Sequence, residues 1–396
     1  MSISYQQLSK HISIDTQVGP VKYLHIFPEY NRGGAEIRVS RTINAMGPGH
    51  GHAVLSISGR TDAADVLDPS CNVRVFQGPP KKGPIRFPID LWKCVRDINP
   101  SVVLTYNWGA TDAVLAAKIA RFRPVIHNEC GLSADLDGKG WRRQLARRVL
   151  LPGCYRVVVT SFTLYDLAIR KFGVPKNKIA FIKTGVNTER FSPGMNDELR
   201  EKITHGDCRS VVFGYVGSLR PSKNVPMLLR AFAAAKPSME CPAVLALFGD
   251  GPERERLTDL ARDLGILESL YFHGYIDNPE CAFNAIDVNV TASMSEAASN
   301  SLLEAMASGL PVVSTDIADN KRMLSDENRP FVYAHDDHAG YTSALKTLAN
   351  DLQMRNHLGE ANRSHVCQEY PVDRMYREYA NLWSQAAEFA MTRPGR

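Results

Sequence analysis

No two of the eight cysteines in this 396-residue sequence form a C-x-x-C pair. Scattered cysteines argue against both a zinc site and a disulfide framework. No apolar run approaches the ~18 residues of a membrane span. The opening stretch MSISYQQLSKHISIDTQVGP has no apolar core, so no signal peptide is expected. A G-x-G-x-x-G turn after a strand is missing, which counts against a dehydrogenase. The D-x-D at Asp135–Asp137 stands in the polar run SADLDG instead of ending an apolar strand, and no metal site is expected. These absences leave a reduced, cytoplasmic protein as the expectation.

Acidic residues are scarce in the first half. Residues 1–200 carry 16 Asp+Glu against 28 Lys+Arg, a charge of +12, and residues 201–396 carry 26 against 19, a charge of −7. Such asymmetry suits a half that faces an anionic surface, although lysine and arginine are also ordinary surface residues. Nothing in the pattern points to nucleic acid. With 44% hydrophobic and 22% charged residues, the composition is that of a soluble globular protein. The length exceeds one ordinary core and predicts two domains.

What is present is alternation. VKYLHIF reads as a strand, NRGGAE as a glycine turn and IRVSRTINAM as a helix. SVVLTY, RPVIHN and YRVVVTS are further strands, with helices between them. The connector NTERFSPGMNDELREKITHGDC is polar and turn-rich, and after it the pattern restarts. SVVFGYVGS, AVLALFGDG, LYFHGY, AIDVNVTAS and PVVST read as strands, and VPMLLRAFAAA, ERERLTDLARDLG and NSLLEAMASG as helices. Strands alternating with helices predict parallel βαβ units, so the fold class is α/β with two doubly wound domains, 1–190 and 191–370. Ligands of such sheets bind beyond the carboxyl ends of the strands, and two units facing each other would put a cleft between them.

Four segments follow strand ends: NRGGAE (31–36), YVGSLRPSKN (215–224), FGDGPERERL (248–257) and FHGYIDNP (272–279). A fifth, TASMSEAASNSLLEAMASGLPVVSTD, sets Glu296 and Glu304 eight positions apart around a small polar turn. Taken alone, Glu304 follows Ser301 by three, the spacing of a capping box, and Glu296 reads as a solvated loop acid. The amides of Ser299, Asn300 and Ser301 open a helix, and unpaired N–H groups at a helix start attract a diphosphate. Asn107 and Trp108, at another strand end, are candidate acceptor contacts.

In order and spacing these segments resemble the retaining glycosyltransferases of family 4, over about residues 22 to 385. The resemblance implies the GT-B fold, with two Rossmann-like domains across a cleft. It also implies transfer of a sugar from a nucleoside-diphosphate sugar to an acceptor hydroxyl, without a metal cofactor. Glu296 then lies against the transferred sugar as the catalytic carboxylate, and Glu304 holds the ribose. Lys223 lies on the donor diphosphate, and the backbone near Tyr275 and Ile276 holds the base. Gly33 and Gly34 let the backbone approach the sugar phosphates. Two positions depart from the family pattern. Relatives often carry arginine after the glycine matching Gly217, where this chain has Ser218; Arg220 would supply that charge. Many relatives carry a functional histidine where this chain has Cys130, which leaves His127 as the nearby candidate.

The resemblance also sends the last helix, within 371–390, back to the first domain. It implies a glycan or lipid-linked acceptor, as in bacterial cell-surface polysaccharide or glycolipid biosynthesis. A non-catalytic nucleotide-sugar-binding relative and a GT-B sugar-nucleotide epimerase are the alternatives. The densest basic stretch, KGWRRQLARRVLLPG (139–153), would set Trp141, Leu145 and Leu150 along an apolar flank. Arg142, Arg143, Arg147 and Arg148 stand beside it. That outline suits peripheral contact with an anionic membrane, here the cytoplasmic face of the inner membrane. The other reading is a surface helix packing its leucines on the sheet.

Overall fold

The computed structural model describes residues 21–81, 83, 86–120, 122, 124–131, 140–296 and 298–392. Asp135 and Asp137 lie outside the described residues. The chain forms two compact units: one ends at Lys183 and resumes at Met375, and the other runs Thr184–Arg374.

The first unit is built on β1 (Tyr23–Phe27), β2 (His52–Ser56), β3 (Val73–Gln77), β4 (Val102–Tyr106), β5 (Val125–Glu129), β6 (Arg156–Val159) and β7 (Ile179–Phe181). All pairings are parallel, in the order β3-β2-β1-β4-β5-β6-β7. The second unit holds β8 (Val211–Val216), β9 (Ala243–Phe248), β10 (Leu270–Gly274), β11 (Val288–Thr291), β12 (Val312–Thr315) and β13 (Val332–Tyr333). They too are parallel, in the order β10-β9-β8-β11-β12-β13. Parallel strands are covered on both faces and read as continuous apolar runs; every residue of β1, β2, β4 and β5 is buried. Each order reverses once, between β1 and β4 and between β8 and β11. Crevices at such switch points are where open α/β sheets bind ligands.

The core of the first unit contains polar rings. His25 Nδ1 meets Tyr106 Oη at 2.8 Å and His25 Nε2 meets His52 Nδ1 at 3.1 Å. The helix Val372–Thr392 covers them, with Trp383 4.9 Å from the His25 ring and 6.0 Å from Tyr23, centroid to centroid. Burial lowers His25 well below the ordinary imidazole value, and His52 adds to the effect. Burial also takes His52 down to about 3, helped by His50 and Lys22. The second unit buries eight of the eleven residues of the helix Val225–Ala235. Asn328 clamps β12 there, donating to the Val312 carbonyl at 2.7 Å and accepting from its amide at 2.9 Å. The connector, read from sequence as turn-rich, holds a helix Asp197–Thr204 whose first turn is capped by Asn196.

Candidate functional site

In the second unit, two loops at neighbouring strand ends pack backbone against backbone. Gly217 and Leu219 donate to the carbonyls of Phe248 and Asp250 at 2.9 Å. A Cβ on Gly249, whose φ is +141°, would collide with the Gly217 carbonyl, and one on Gly251 with that of Leu219. Only glycine permits this approach.

The loop after β8 also meets the loop after β11. Met294 N donates to Ser222 O at 2.8 Å. Lys223 Nζ reaches Glu296 Oε1 at 2.6 Å, and Ser293 Oγ donates to the same oxygen at 2.6 Å. The ion pair is largely sheltered, with the Lys223 and Glu296 side chains 26% and 10% exposed. Glu296 is therefore not the solvated loop acid that its isolated position suggests. Lys223, expected on a diphosphate, rests on Glu296 here, and an ammonium has three protons to donate. Ser218 lends its carbonyl to Tyr215 Oη at 2.9 Å. Arg220 is exposed, and its guanidinium has no ion pair among the described residues.

The next helix runs Asn300–Ala307 with Ser299 at its N-cap, and the Ser299 side chain makes no cap hydrogen bond. Ser301 is thus inside the helix and Glu304 is its fifth residue. The capping box expected from S-x-x-E at 301–304 does not form, because the helix begins two residues too early and Ser301 is not its N-cap. Ser299 Oγ lies 3.4 Å from Ser301 Oγ and accepts from no amide of the helix. Beyond β10, Tyr275 is 66% exposed. Ile276 is half-buried, and Gly274 takes a left-handed φ of +85° while its carbonyl accepts from Gly249 N at 2.7 Å.

In the first unit, Gly33 is the N-cap of the helix Gly34–Met46, in an extended conformation. Glu36 folds back over it, and burial raises the Glu36 carboxyl above its ordinary value. Asn107 follows β4 with a left-handed φ of +56°, a strain that non-glycine residues hold only when their surroundings enforce it. Its side-chain oxygen accepts from Cys130 N at 2.9 Å, tying the ends of β4 and β5 together. Trp108 comes next, with the Arg143 and Arg147 guanidinium groups 5.5 and 5.1 Å from its ring centroid.

His127, the other catalytic candidate, lies in the interior of the first unit. It is wholly buried in β5, with Nδ1 2.8 Å from Thr105 Oγ1 and Nε2 3.4 Å from Glu129 Oε2. Both nitrogens serve the interior. Burial raises the Cys130 thiol, with Arg38 offsetting part of the effect. Sequence reasoning missed the partner of this strand end. Glu129 is buried and takes Arg147 through two hydrogen bonds, at 2.9 and 3.0 Å. Burial alone would raise the Glu129 carboxyl, but His127 and Arg147 outweigh it and hold it low.

The helix Trp141–Leu150 carries Arg147, so two of the expected membrane residues need correction. Arg147 and Leu150 are buried, while Trp141, Leu145 and Val149 are 61%, 52% and 63% exposed. At ~100° per residue these three form one stripe, and Arg142 and Arg148 flank it on either side. The exposed apolar row is thus Trp141, Leu145 and Val149. No described helix is long and apolar enough to cross a membrane.

Residues 196–365 match the family model described as Glycosyl transferases group 1, and residues 32–190 match the one described as Glycosyltransferase Family 4. Among curated proteins, the chain is 28% identical over 205 residues to the "Putative glycosyltransferase EpsD" of Bacillus subtilis, covering 50% of this chain and 52% of that protein. It is 29% identical over 192 residues to the UDP-Gal:alpha-D-GlcNAc-diphosphoundecaprenol alpha-1,3-galactosyltransferase of Escherichia coli, covering 47% of this chain and 49% of that one. The chain thus spans about half the length of these two curated relatives. Among solved structures, Anabaena HepE in complex with UDP matches with a TM-score of 0.79 at 18% identity, over 92% of this chain and 100% of that one.

Proposed function

This chain belongs to the family 4 glycosyltransferases and has the GT-B fold, and on that premise we propose that it moves a sugar, with retention, from a nucleoside-diphosphate sugar to an acceptor hydroxyl. The observation that carries the reading is Glu296: a carboxylate held by Ser293 and Lys223 at the switch point of the second sheet. From there it serves the transferred sugar, stabilising positive charge as the bond to the diphosphate breaks. The amides of Ser299, Asn300 and Ser301 receive the diphosphate, with Lys223 and Arg220 as its cations. Glu304, the fifth residue of that helix, holds the ribose, and the backbone beside Tyr275 and Ile276 holds the base.

Uridine donors are the first to test, because HepE was solved with UDP and the Escherichia coli relative is named for UDP-Gal. The latter's acceptor is a diphosphoundecaprenol-linked sugar, which supports a glycan or lipid-linked acceptor here, met by Asn107 and Trp108. We place the enzyme in the cytoplasm, on an anionic membrane surface met by the helix Trp141–Leu150. No metal takes part in this reading, so transfer is expected to persist in a chelator. The experiment is Glu296→Gln, assayed with a panel of nucleotide sugars. Transfer is expected to vanish while nucleotide binding survives. Unchanged transfer would sink the assignment, and binding without any release of nucleoside diphosphate would favour a non-catalytic relative.

A further inference from the structure

The two oxygens of Glu296 are not equivalent. Oε1 accepts from Ser293 Oγ and from Lys223 Nζ, both at 2.6 Å. Oε2 accepts from no described residue. Ser293 is itself immobilised. It is 0% exposed, its carbonyl accepts from Thr315 Oγ1 of β12 at 2.7 Å, and Thr291 Oγ1 of β11 lies 3.5 Å from its hydroxyl. A hydroxyl shut away from water must place its proton on a protein acceptor, and here the acceptor is the carboxylate.

We propose that Ser293 is a positioning residue for sugar transfer. With Lys223 it pins Oε1 and leaves Oε2 as the oxygen presented to the donor sugar. A carboxylate free to rotate would offer either oxygen, and neither in a fixed direction. One anchored through a buried hydroxyl to two strands keeps one lone-pair direction on the reacting centre. Lys223 has a second effect: it stands on the carboxylate that would otherwise repel an incoming diphosphate. This inference rests on the reading of Glu296 as the sugar-side carboxylate.

The test uses the full chain and the nucleotide sugar that the unmodified protein turns over, chosen from UDP- and GDP-sugars. It compares Ser293→Ala, Ser293→Thr and Glu296→Gln by kcat, donor KM, affinity for the nucleoside diphosphate and melting midpoint. Ser293→Ala is expected to lower kcat about 10- to 100-fold, as for a lost hydrogen bond to a charged group. Its KM, nucleotide affinity and melting midpoint should stay near those of the unmodified protein. Ser293→Thr keeps the hydroxyl and should recover most of the rate. If Ser293→Ala turns over normally while Glu296→Gln is inactive, the inference is wrong and the reading of Glu296 stands. An active Glu296→Gln, or an unmodified protein that turns over no donor, removes both. A Ser293→Ala protein that loses nucleotide affinity and melting temperature along with rate would make Ser293 merely structural. So would a Ser293→Thr protein that binds nucleotide normally and is as slow as Ser293→Ala.

Discussion

Replacing Glu304 by glutamine removes a charge and keeps the shape. With the helix start at Asn300 and Ser299 at its N-cap, Glu304 sits in the body of the helix, where glutamine is about as good a helix former as glutamate, and stability should change little. Hydroxyls donating to a carboxylate make the stronger bonds, so affinity for the nucleoside diphosphate is expected to fall roughly tenfold. Titration of the variant by calorimetry checks this, and unchanged affinity would take Glu304 out of the site. The buried histidines give a second expectation. In the folded state His52 titrates only at about 3, whereas an unfolded imidazole does so near ~6.5. The folded protein is therefore at full stability above about pH 6.5 and loses it as pH falls from there toward 3. His52 alone accounts for about 2 kcal/mol at pH 5, and His25 acts in the same direction. Melting curves at pH 7.5 and pH 5 should differ accordingly, and equal midpoints would contradict the buried neutral pair. At this scale the sequence was readable only in part. S-x-x-E occurs twice, at 293–296 and 301–304. The serine–glutamate contact forms at the first, where no helix is present, because a turn lets the two side chains converge.

The helix Trp141–Leu150 shows what spacing reveals about an element and what it conceals. Four arginines in seven residues announce a basic surface. They do not announce that one of them, Arg147, turns inward to a glutamate eighteen positions earlier. Only the fold brings β5 beneath it. The distinction separates two experiments. Arg142→Gln with Arg148→Gln removes two exposed cations worth ~1 kcal/mol each near an anionic surface. Affinity for phosphatidylglycerol vesicles is expected to fall about 30-fold, and added salt should weaken binding of the unmodified protein. A protein that ignores such vesicles at low salt would overturn the membrane reading. Arg147→Gln instead leaves Glu129 buried without its arginine and with only His127 beside it, a loss of about 3–5 kcal/mol in stability, with vesicle affinity unchanged in the folded fraction. Strands were the most legible elements, since parallel strands buried on both faces are continuous apolar runs. Short ones such as Ile179–Phe181 and Val332–Tyr333 carry too few residues to register, and His52–Ser56 and Val73–Gln77, with three apolar residues each, escape the sequence reading as well.

Across the whole molecule, chain order and spatial order part company. The first unit is completed by residues from Met375 onward, and Tyr379, Leu382 and Trp383 are all buried. Nothing in the periodicity of that last helix says which sheet its apolar face covers; the answer lies in the ring cluster around His25. A chain ending at residue 371 loses that cover, and opening a site filled by a tryptophan costs about 3–5 kcal/mol by itself. The unfolding transition of the first unit should then disappear. That of the second unit, identified by its upward shift with bound UDP, should remain. Two intact transitions in the shortened chain would mean that the helix contributes nothing to the first unit.

Protein synthesis delivers the chain from one end only. Lys183 and Met375 are 192 positions apart, so at ~5–20 residues per second the ribosome needs about 10–40 s to travel between them. Throughout that interval Tyr23, His25 and His52 stand without Trp383, and the sheet that carries them has an unfinished face. Thr184–Arg374, by contrast, emerges whole and is free to fold at once. During those seconds the nascent N-terminal half presents apolar surface of the kind that chaperones hold. The half made first is the last to be finished.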